Sequence, residues 1–92
     1  NQLLHKVPHT GWNQIKINKE STLLKKIPNK SEFYFVHSYY FKCNNQSDIL
    51  CETQYESKFV SAIEKKNIYG TQFHPEKSHD IGMQLLKNFI EL

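Results

Sequence analysis

Hydrophobic and polar positions alternate along most of the chain, and a helical repeat appears only near its end. A nearly continuous apolar run at residues 33–41 predicts a strand that is covered on both faces. Shorter alternating runs predict strands at residues 49–56, 58–64 and 68–73. Residues 7–17 contain a proline and a glycine before their alternating part, which indicates a loop that leads into a strand.

The helical repeat lies at residues 78–92, where apolar side chains recur every four residues and Ser78 is the expected N-cap. Residues 18–31 are mostly polar around one apolar cluster and are expected to form a short helix or a docked turn. The expected fold is therefore α/β, with a mixed sheet of four to five strands and a C-terminal helix. One helix covers one face of a sheet, so we expect a further layer that these residues do not supply.

Composition excludes several classes of protein. The 92 residues carry a net charge of +3, and all twelve basic residues are lysines. Arginine is the usual residue for bidentate contacts with guanine and phosphate, so we expect no nucleic-acid binding. No apolar run reaches the roughly 20 residues that cross a bilayer. We expect a cytoplasmic protein that does not bind membranes and, because the sequence begins with Asn1 rather than Met, a piece of a longer polypeptide.

The cysteines and the N-terminal histidines do not form a recognisable metal site. Cys43 and Cys51 lack the two-residue spacing of zinc and redox motifs, and we expect reduced, structural thiols. His5 and His9 are four residues apart, a spacing that suits a metal on a helix, but the proline and glycine nearby exclude that helix. We therefore predict no metal ligands.

His74, Pro75 and Glu76 lie between a predicted strand and the predicted helix. Side chains two apart in an extended segment project to the same side, and the proline restricts the backbone at both positions. A carboxylate bonded to one imidazole nitrogen leaves the other free to take a proton from a nucleophile, as in a catalytic triad. On spacing alone, an ordinary turn with a packed histidine and a solvated glutamate is the better supported interpretation. No cysteine or serine lies in a glycine-flanked elbow that would present a nucleophile.

Trp12 is the only tryptophan and lies in the predicted loop. An aromatic side chain in such a loop is often an anchor for a partner protein. It can equally cover a small core, and the sequence leaves both interpretations open.

Three strings, taken in order, resemble one enzyme family. They are Pro-His-Thr-Gly-Trp-Asn at residues 8–13, Phe-Val-His-Ser-Tyr-Tyr at 35–40 and Gln-Phe-His-Pro-Glu-Lys-Ser at 72–78. Together they resemble the glutaminase subunit of imidazole glycerol phosphate synthase, a class I (triad) glutamine amidotransferase. The Gln-Phe-His-Pro-Glu part marks class I amidotransferases broadly, and the Pro-His-x-Gly-Trp-Asn and Pro-Glu-Lys-Ser strings narrow the resemblance to this subunit. It extends from about residue 7 to the end of the chain.

The resemblance implies roles for individual residues. His74 corresponds to the triad base and Glu76 to the carboxylate that orients it. His37, Ser38 and Tyr39 resemble the segment whose backbone and side chains help to hold the α-groups of the substrate glutamine.

The resemblance also implies partners. Trp12, Asn13 and Lys77 resemble positions that face a (β/α)8-barrel cyclase, which receives ammonia from the glutaminase. The family's nucleophile is a cysteine in a Gly-x-Cys-x-Gly-x-Gln elbow in the N-terminal half of the domain, and this chain has no such elbow. Residues 1–92 are thus expected to be the C-terminal part of a single domain. We expect this part to need the missing half and no cofactor, and to be inactive alone.

Three functions remain open at this point. The first is ammonia supply for histidine biosynthesis. The second is the same chemistry serving a sugar-modifying enzyme of surface-polysaccharide biosynthesis. The third is a non-catalytic remnant that keeps only a partner-binding face. An in-frame elbow cysteine upstream of Asn1 would separate the first two from the third.

Overall fold

A computed structural model describes the backbone of residues 3–41 and 43–92 and the side chains of residues 9–37 and 43–92. Within these residues the chain forms strands β1 (Leu3–Gln14), β2 (Lys16–Ile17), β3 (Glu32–Phe41), β4 (Ile49–Tyr55), β5 (Ser57–Lys65) and β6 (Ile68–Thr71). It also forms one α-helix, α1 (His79–Ile90), and three single-turn 3-10 helices, at Thr22–Leu24, Gln46–Asp48 and Pro75–Lys77. None of these helices is long and apolar enough to cross a membrane.

The strands of the described chain form two antiparallel sheets, one with the order β1-β3 and one with the order β2-β4-β5-β6. The α/β class and the C-terminal helix are confirmed, and the strands pair in two antiparallel sheets where a mixed sheet of four to five strands was expected. Strands β4, β5 and β6 follow one another through tight turns, where Glu56 and Lys66 adopt positive φ angles of 61° and 57°. Strands joined by such short turns can pair only in antiparallel fashion.

Strand β1 occupies most of the segment that was expected to be a loop. It pairs with β3, and the register shifts between Lys6 and His9, around Pro8. A shift in the ladder accommodates a residue that cannot donate a backbone hydrogen bond, and Gly11 adopts a φ of +131° that other residues rarely adopt. Proline and glycine therefore mark irregularities within a strand here, not a loop.

The two faces of the β1-β3 sheet differ. Phe33 and Phe35 are fully buried, whereas Val36 on the opposite face is 41% exposed and Trp12 beside it 43%. The expectation that both faces of β3 are covered was therefore wrong for the described residues. Side chains opposite each other in an antiparallel pair share a face, so Trp12 and Tyr34 lie together on the outward face.

The core lies between the two sheets and α1. Its buried apolar residues include Ile15, Leu23, Phe33, Phe35, Leu50, Phe73 and Leu85. Burial of each such side chain contributes about 1.5–3 kcal/mol relative to exposure. The turn at Thr22–Leu24 docks on this core, as expected for residues 18–31. Helix α1 is confirmed near its expected bounds, although Phe89 of its apolar repeat is 53% exposed.

Candidate functional site

The segment after β6 brings His74 to the edge of β3. Phe73 forms an isolated bridge with Phe35, and the His74 amide donates to the Tyr34 carbonyl at 2.9 Å. Phe73 points into the core, so His74, the next residue, points outward. Its backbone is extended, with φ −107° and ψ 98°, and Pro75 begins a 3-10 turn, as expected of the residue before a proline.

His74 and Glu76 form a close pair. His74 Nδ1 lies 2.9 Å from Glu76 Oε2, and the two side chains are 37% and 59% exposed. The hydrogen bond with His74 is the main cause that lowers the pKa of Glu76, which favours the carboxylate as acceptor. When Nδ1 donates to that carboxylate, Nε2 is the unprotonated nitrogen and can accept a proton. This geometry is the one that a base and its orienting carboxylate require in a triad.

Ser78 differs from its expected role as a helix N-cap. Its side chain makes no capping hydrogen bond. Instead, Ser78 Oγ accepts a hydrogen bond from the Tyr34 amide at 2.9 Å and donates to the His74 carbonyl at 2.6 Å. The preceding 3-10 turn directs the hydroxyl towards β3 rather than towards the first turn of α1. Sequence reasoning missed this link because it joins residues far apart in the chain.

The segment proposed to hold glutamine is divided in the structure. The ring of His37 lies on the core face of β3, near Phe35 and Phe59 and with Nε2 3.1 Å from His9 Nδ1. His74 points outward, so the structure does not place the two side chains on the same face of β3. The side chains of Ser38 and Tyr39 lie outside the described residues, and the substrate role of all three stays a prediction.

His9 was considered at first only as a poor metal ligand, and the structure gives it a defined environment. It is 3% exposed, and its ring stacks between Tyr55 at 3.9 Å and Phe35 at 4.8 Å, measured between centroids. Burial, and then the proximity of His37, lower the pKa of His9, so the neutral imidazole is favoured. Inward and outward side chains alternate along β1, and His9 is one of the inward positions. The expectation of a loop at residues 7–17 concealed this signal.

Of the predicted interface residues, Trp12 and Lys77 are exposed, whereas Asn13 is half-buried opposite Phe33 on the core-facing side of β1. The Trp12 ring packs edge-on against Tyr34 and stacks on His79, with ring centroids 5.7 Å and 5.3 Å apart. Both contacts lie beside the 3-10 turn of the site. The Trp12 ring therefore does not act as a lid over the core. Lys77 is exposed at the end of the turn, and Asn13 Nδ2 donates to a β4 carbonyl at 3.1 Å.

Neither cysteine is placed to act as a nucleophile. Both are free thiols, as expected. Burial raises the pKa of Cys51 to about 12, which disfavours the reactive thiolate. Cys43 is half-buried and its Sγ lies 3.3 Å from the Asn45 carbonyl, in the connection between β3 and β4. In the described part of the chain, no group of three or more histidine, cysteine or acidic side chains could hold a metal ion.

Comparison with known proteins identifies the family. The profile of the class-I glutamine amidotransferases matches residues 3–92. The chain belongs to this family. It is 52% identical over 86 residues to imidazole glycerol phosphate synthase subunit HisH 2 of Methanococcus maripaludis, covering 94% of this chain and 43% of that protein. It is 53% identical over 87 residues to subunit HisH 2 of Pseudomonas aeruginosa, covering 95% of this chain and 43% of that protein.

A solved structure supports the same fold. The chain superposes with a TM-score of 0.79 and 22% identity on a crystal structure described as a GMP synthase subunit from Thermoplasma acidophilum. The match covers 98% of this chain and 47% of that one. The chain thus spans less than half the length of the curated relatives above.

Proposed function

We propose that this chain is the C-terminal part of the glutaminase subunit of an imidazole glycerol phosphate synthase. In this proposal, residues 1–92 belong to one class I domain whose other part supplies a nucleophilic cysteine. The observation that carries the proposal is the 2.9 Å pair between His74 Nδ1 and Glu76 Oε2 on the outward side of the molecule. Such a pair is what a Cys-His-Glu triad requires from this part of the family's domain.

The proposed reaction uses His74 as base and then as acid. Nε2 takes the proton of the cysteine thiol, and the thiolate attacks the side-chain amide carbon of glutamine. The imidazolium returns the proton to the departing nitrogen, which leaves as ammonia, and a thioester remains. His74 then deprotonates a water molecule that attacks the thioester. The carbon–sulfur bond breaks, the cysteine recovers the proton from the imidazolium, and glutamate is released. Glu76 orients the ring and stabilises the imidazolium formed in each half of the cycle.

We infer that the ammonia passes to a (β/α)8-barrel cyclase in histidine biosynthesis. The relatives from M. maripaludis and P. aeruginosa are named as subunits of such a synthase. The proposed contacts are Trp12, Asn13 and Lys77. The exposed Trp12 ring stacks on His79, close to the turn that carries His74 and Glu76, and this supports a partner that binds beside that turn. Free Cys43 and Cys51 agree with a reducing compartment such as the cytoplasm.

The other two functions have less support. The names of the relatives favour the synthase over a sugar-modifying enzyme as the ammonia acceptor. The intact hydrogen bond between His74 and Glu76 favours catalysis over a remnant that only binds a partner.

The proposal is tested by reconstitution. A chimaera joins these 92 residues to the portion of M. maripaludis HisH 2 that precedes the matching segment. We expect the chimaera, mixed with the cyclase subunit of that organism, to release glutamate from glutamine, and the 92-residue chain alone to release none. The matched control is the chimaera with its elbow cysteine replaced by alanine.

Two results would overturn the proposal. One is glutamine hydrolysis by the 92-residue chain alone at the rate of the relative. The other is a chimaera that circular dichroism and gel filtration show to be folded but that releases no glutamate.

A further inference from the structure

Three hydrogen bonds form a closed ring at the catalytic turn, which is the segment from His74 to Ser78. The Tyr34 amide donates to Ser78 Oγ at 2.9 Å, and the Ser78 hydroxyl donates to the His74 carbonyl at 2.6 Å. The His74 amide donates to the Tyr34 carbonyl at 2.9 Å, which closes the ring. Both backbone polar groups of His74 are therefore fixed to its neighbours, and the one side chain in the ring is that of Ser78.

The Ser78 hydroxyl is enclosed. Ser78 is 0% exposed, so water cannot readily take its place. Loss of the hydroxyl would leave the Tyr34 amide without its partner inside the fold, and the backbone would have to move to restore one.

Helix α1 closes the other side of the turn. A Cβ atom on Gly82 would lie 1.9 Å from the Pro75 carbonyl oxygen and 2.9 Å from Ser78 Cβ. The first turn of the helix is therefore in direct contact with the backbone of the catalytic turn. The turn is held between β3 and α1, and it has no room to retreat towards the helix.

We propose that Ser78 is a positioning residue for the triad base. This inference rests on the proposed function. Ser78 acts through the backbone of His74. The His74 carbonyl accepts from the Lys77 amide at 3.0 Å as well as from Ser78 Oγ, but only the Ser78 hydroxyl also bonds to β3 and so fixes the point from which the imidazole projects. The distance between His74 Nδ1 and Glu76 Oε2 depends on that point, because Glu76 lies two residues further along the same turn. Displacements of about 1 Å in a catalytic group can lower a rate by about 100-fold.

Asn88 supplies a matched control on the same helix. It is also buried, and its Nδ2 donates to the carbonyls of Leu23 at 2.8 Å and Lys25 at 2.7 Å. It thus ties the far end of α1 to the Thr22–Leu24 turn. Removal of its amide should weaken the docking of the helix without loosening the turn at His74.

The experiment compares Ser78→Ala, Ser78→Cys and Asn88→Ala in the chimaera described above. Circular dichroism gives the melting temperature of each variant, and assays are run well below it. We expect Ser78→Ala to lower kcat about 10- to 100-fold with KM for glutamine nearly unchanged, and Ser78→Cys to restore part of that loss. Asn88→Ala should lower the melting temperature and leave kcat nearly unchanged.

A second measurement does not require turnover. NMR of the His74 ring nitrogens at one fixed pH reports whether Nδ1 keeps its hydrogen bond with Glu76. We expect the Nδ1 chemical shift to change in Ser78→Ala and to stay in place in Asn88→Ala.

The inference is overturned if Ser78→Ala melts at a lower temperature but keeps both the kcat and the His74 Nδ1 chemical shift of the parent. If Ser78→Ala does not fold, the kcat and the Nδ1 chemical shift of Ser78→Cys are compared with the parent instead. An inactive parent chimaera would contradict the proposed function, and the Nδ1 chemical shifts would still decide whether Ser78 positions His74 relative to Glu76.

Discussion

His74 and His9 each form a hydrogen bond through Nδ1, and their surroundings differ in every other respect. His74 bonds to a carboxylate at 2.9 Å, and more than a third of its side chain is exposed. His9 bonds to a second imidazole, that of His37, at 3.1 Å and is 3% exposed between two aromatic rings.

The difference teaches which histidine can serve as a base. A carboxylate partner and access to solvent stabilise an imidazolium, which a general base must become during the reaction. Burial and a neighbouring imidazole lower the pKa of His9 and disfavour its charged form. Both residues lie in strings that resemble the same family, and of the two environments only that of His74 suits a general base.

The largest expected effect comes from removing the charge beside His74. Glu76→Gln in the chimaera retains the shape of the side chain but not the negative charge that stabilises the imidazolium. We expect the rate of glutamate release to fall about 10²- to 10⁴-fold. The matched control is Glu91→Gln, an exposed residue after the end of α1, which should change the rate less than about twofold. Equal rates for the parent and Glu76→Gln would contradict the triad role.

A smaller effect is expected from the helix behind the turn. Alanine is normally about 1 kcal/mol more favourable than glycine within a helix. At Gly82 the added Cβ would overlap the Pro75 carbonyl, so Gly82→Ala should instead lower the free energy of unfolding by about 1–3 kcal/mol. We also expect glutamate release to fall about tenfold, because the turn that carries His74 is displaced.

The matched control for Gly82→Ala is the variant Gly70→Ala. Its Cβ would approach no backbone atom and only the side chain of Ile63, with Cγ1 at 3.3 Å. Urea unfolding of both variants measures the difference. A Gly82→Ala chimaera as stable and active as the Gly70→Ala chimaera would show that α1 does not constrain the turn.

The smallest effect concerns the buried histidine. Because the pKa of His9 is lower in the folded protein than its ordinary value of 6.5, the unfolded chain binds more protons at acidic pH. Stability should therefore be greatest above pH 6.5 and fall as the pH drops below that value. His37 and Tyr55 are the titratable side chains in described contact with the His9 ring.

His9→Phe removes that titration and keeps an aromatic ring between Phe35 and Tyr55. Urea unfolding of the chimaera at pH 7.5 and 5.5 should show a loss of stability at the lower pH for the parent and a smaller loss for His9→Phe. An unchanged loss in the variant would assign the pH dependence to other groups.

Local features of the fold could be predicted from the sequence. The two-residue spacing and the proline make the pair of His74 and Glu76 possible, but spacing alone favoured an ordinary turn, and the family resemblance was needed to predict the pair. Helix α1 follows from a periodicity contained in its own residues. The docked turn at Thr22–Leu24 follows from a local apolar cluster.

Features that depend on distant residues could not be predicted in this way. Strand β1 forms because β3 offers it a partner, although its proline and glycine locally indicate a loop. The contact of His9 with His37 spans 28 positions and follows from that pairing. The Ser78 hydroxyl bonds to the Tyr34 amide, 44 positions away, and does not cap helix α1 as its position in the sequence predicts.

The most direct test of the account compares three histidines in one assay. His74→Asn, His9→Asn and His79→Asn are made in the chimaera, and glutamate release is measured for each. His79 is an exposed residue with a φ of 54°, a conformation that asparagine tolerates, so it controls for the loss of a surface imidazole. The account predicts a loss of about 10³-fold or more for His74→Asn and less than about tenfold for the other two. Comparable losses for His74→Asn and His9→Asn, in variants that remain folded, would contradict it.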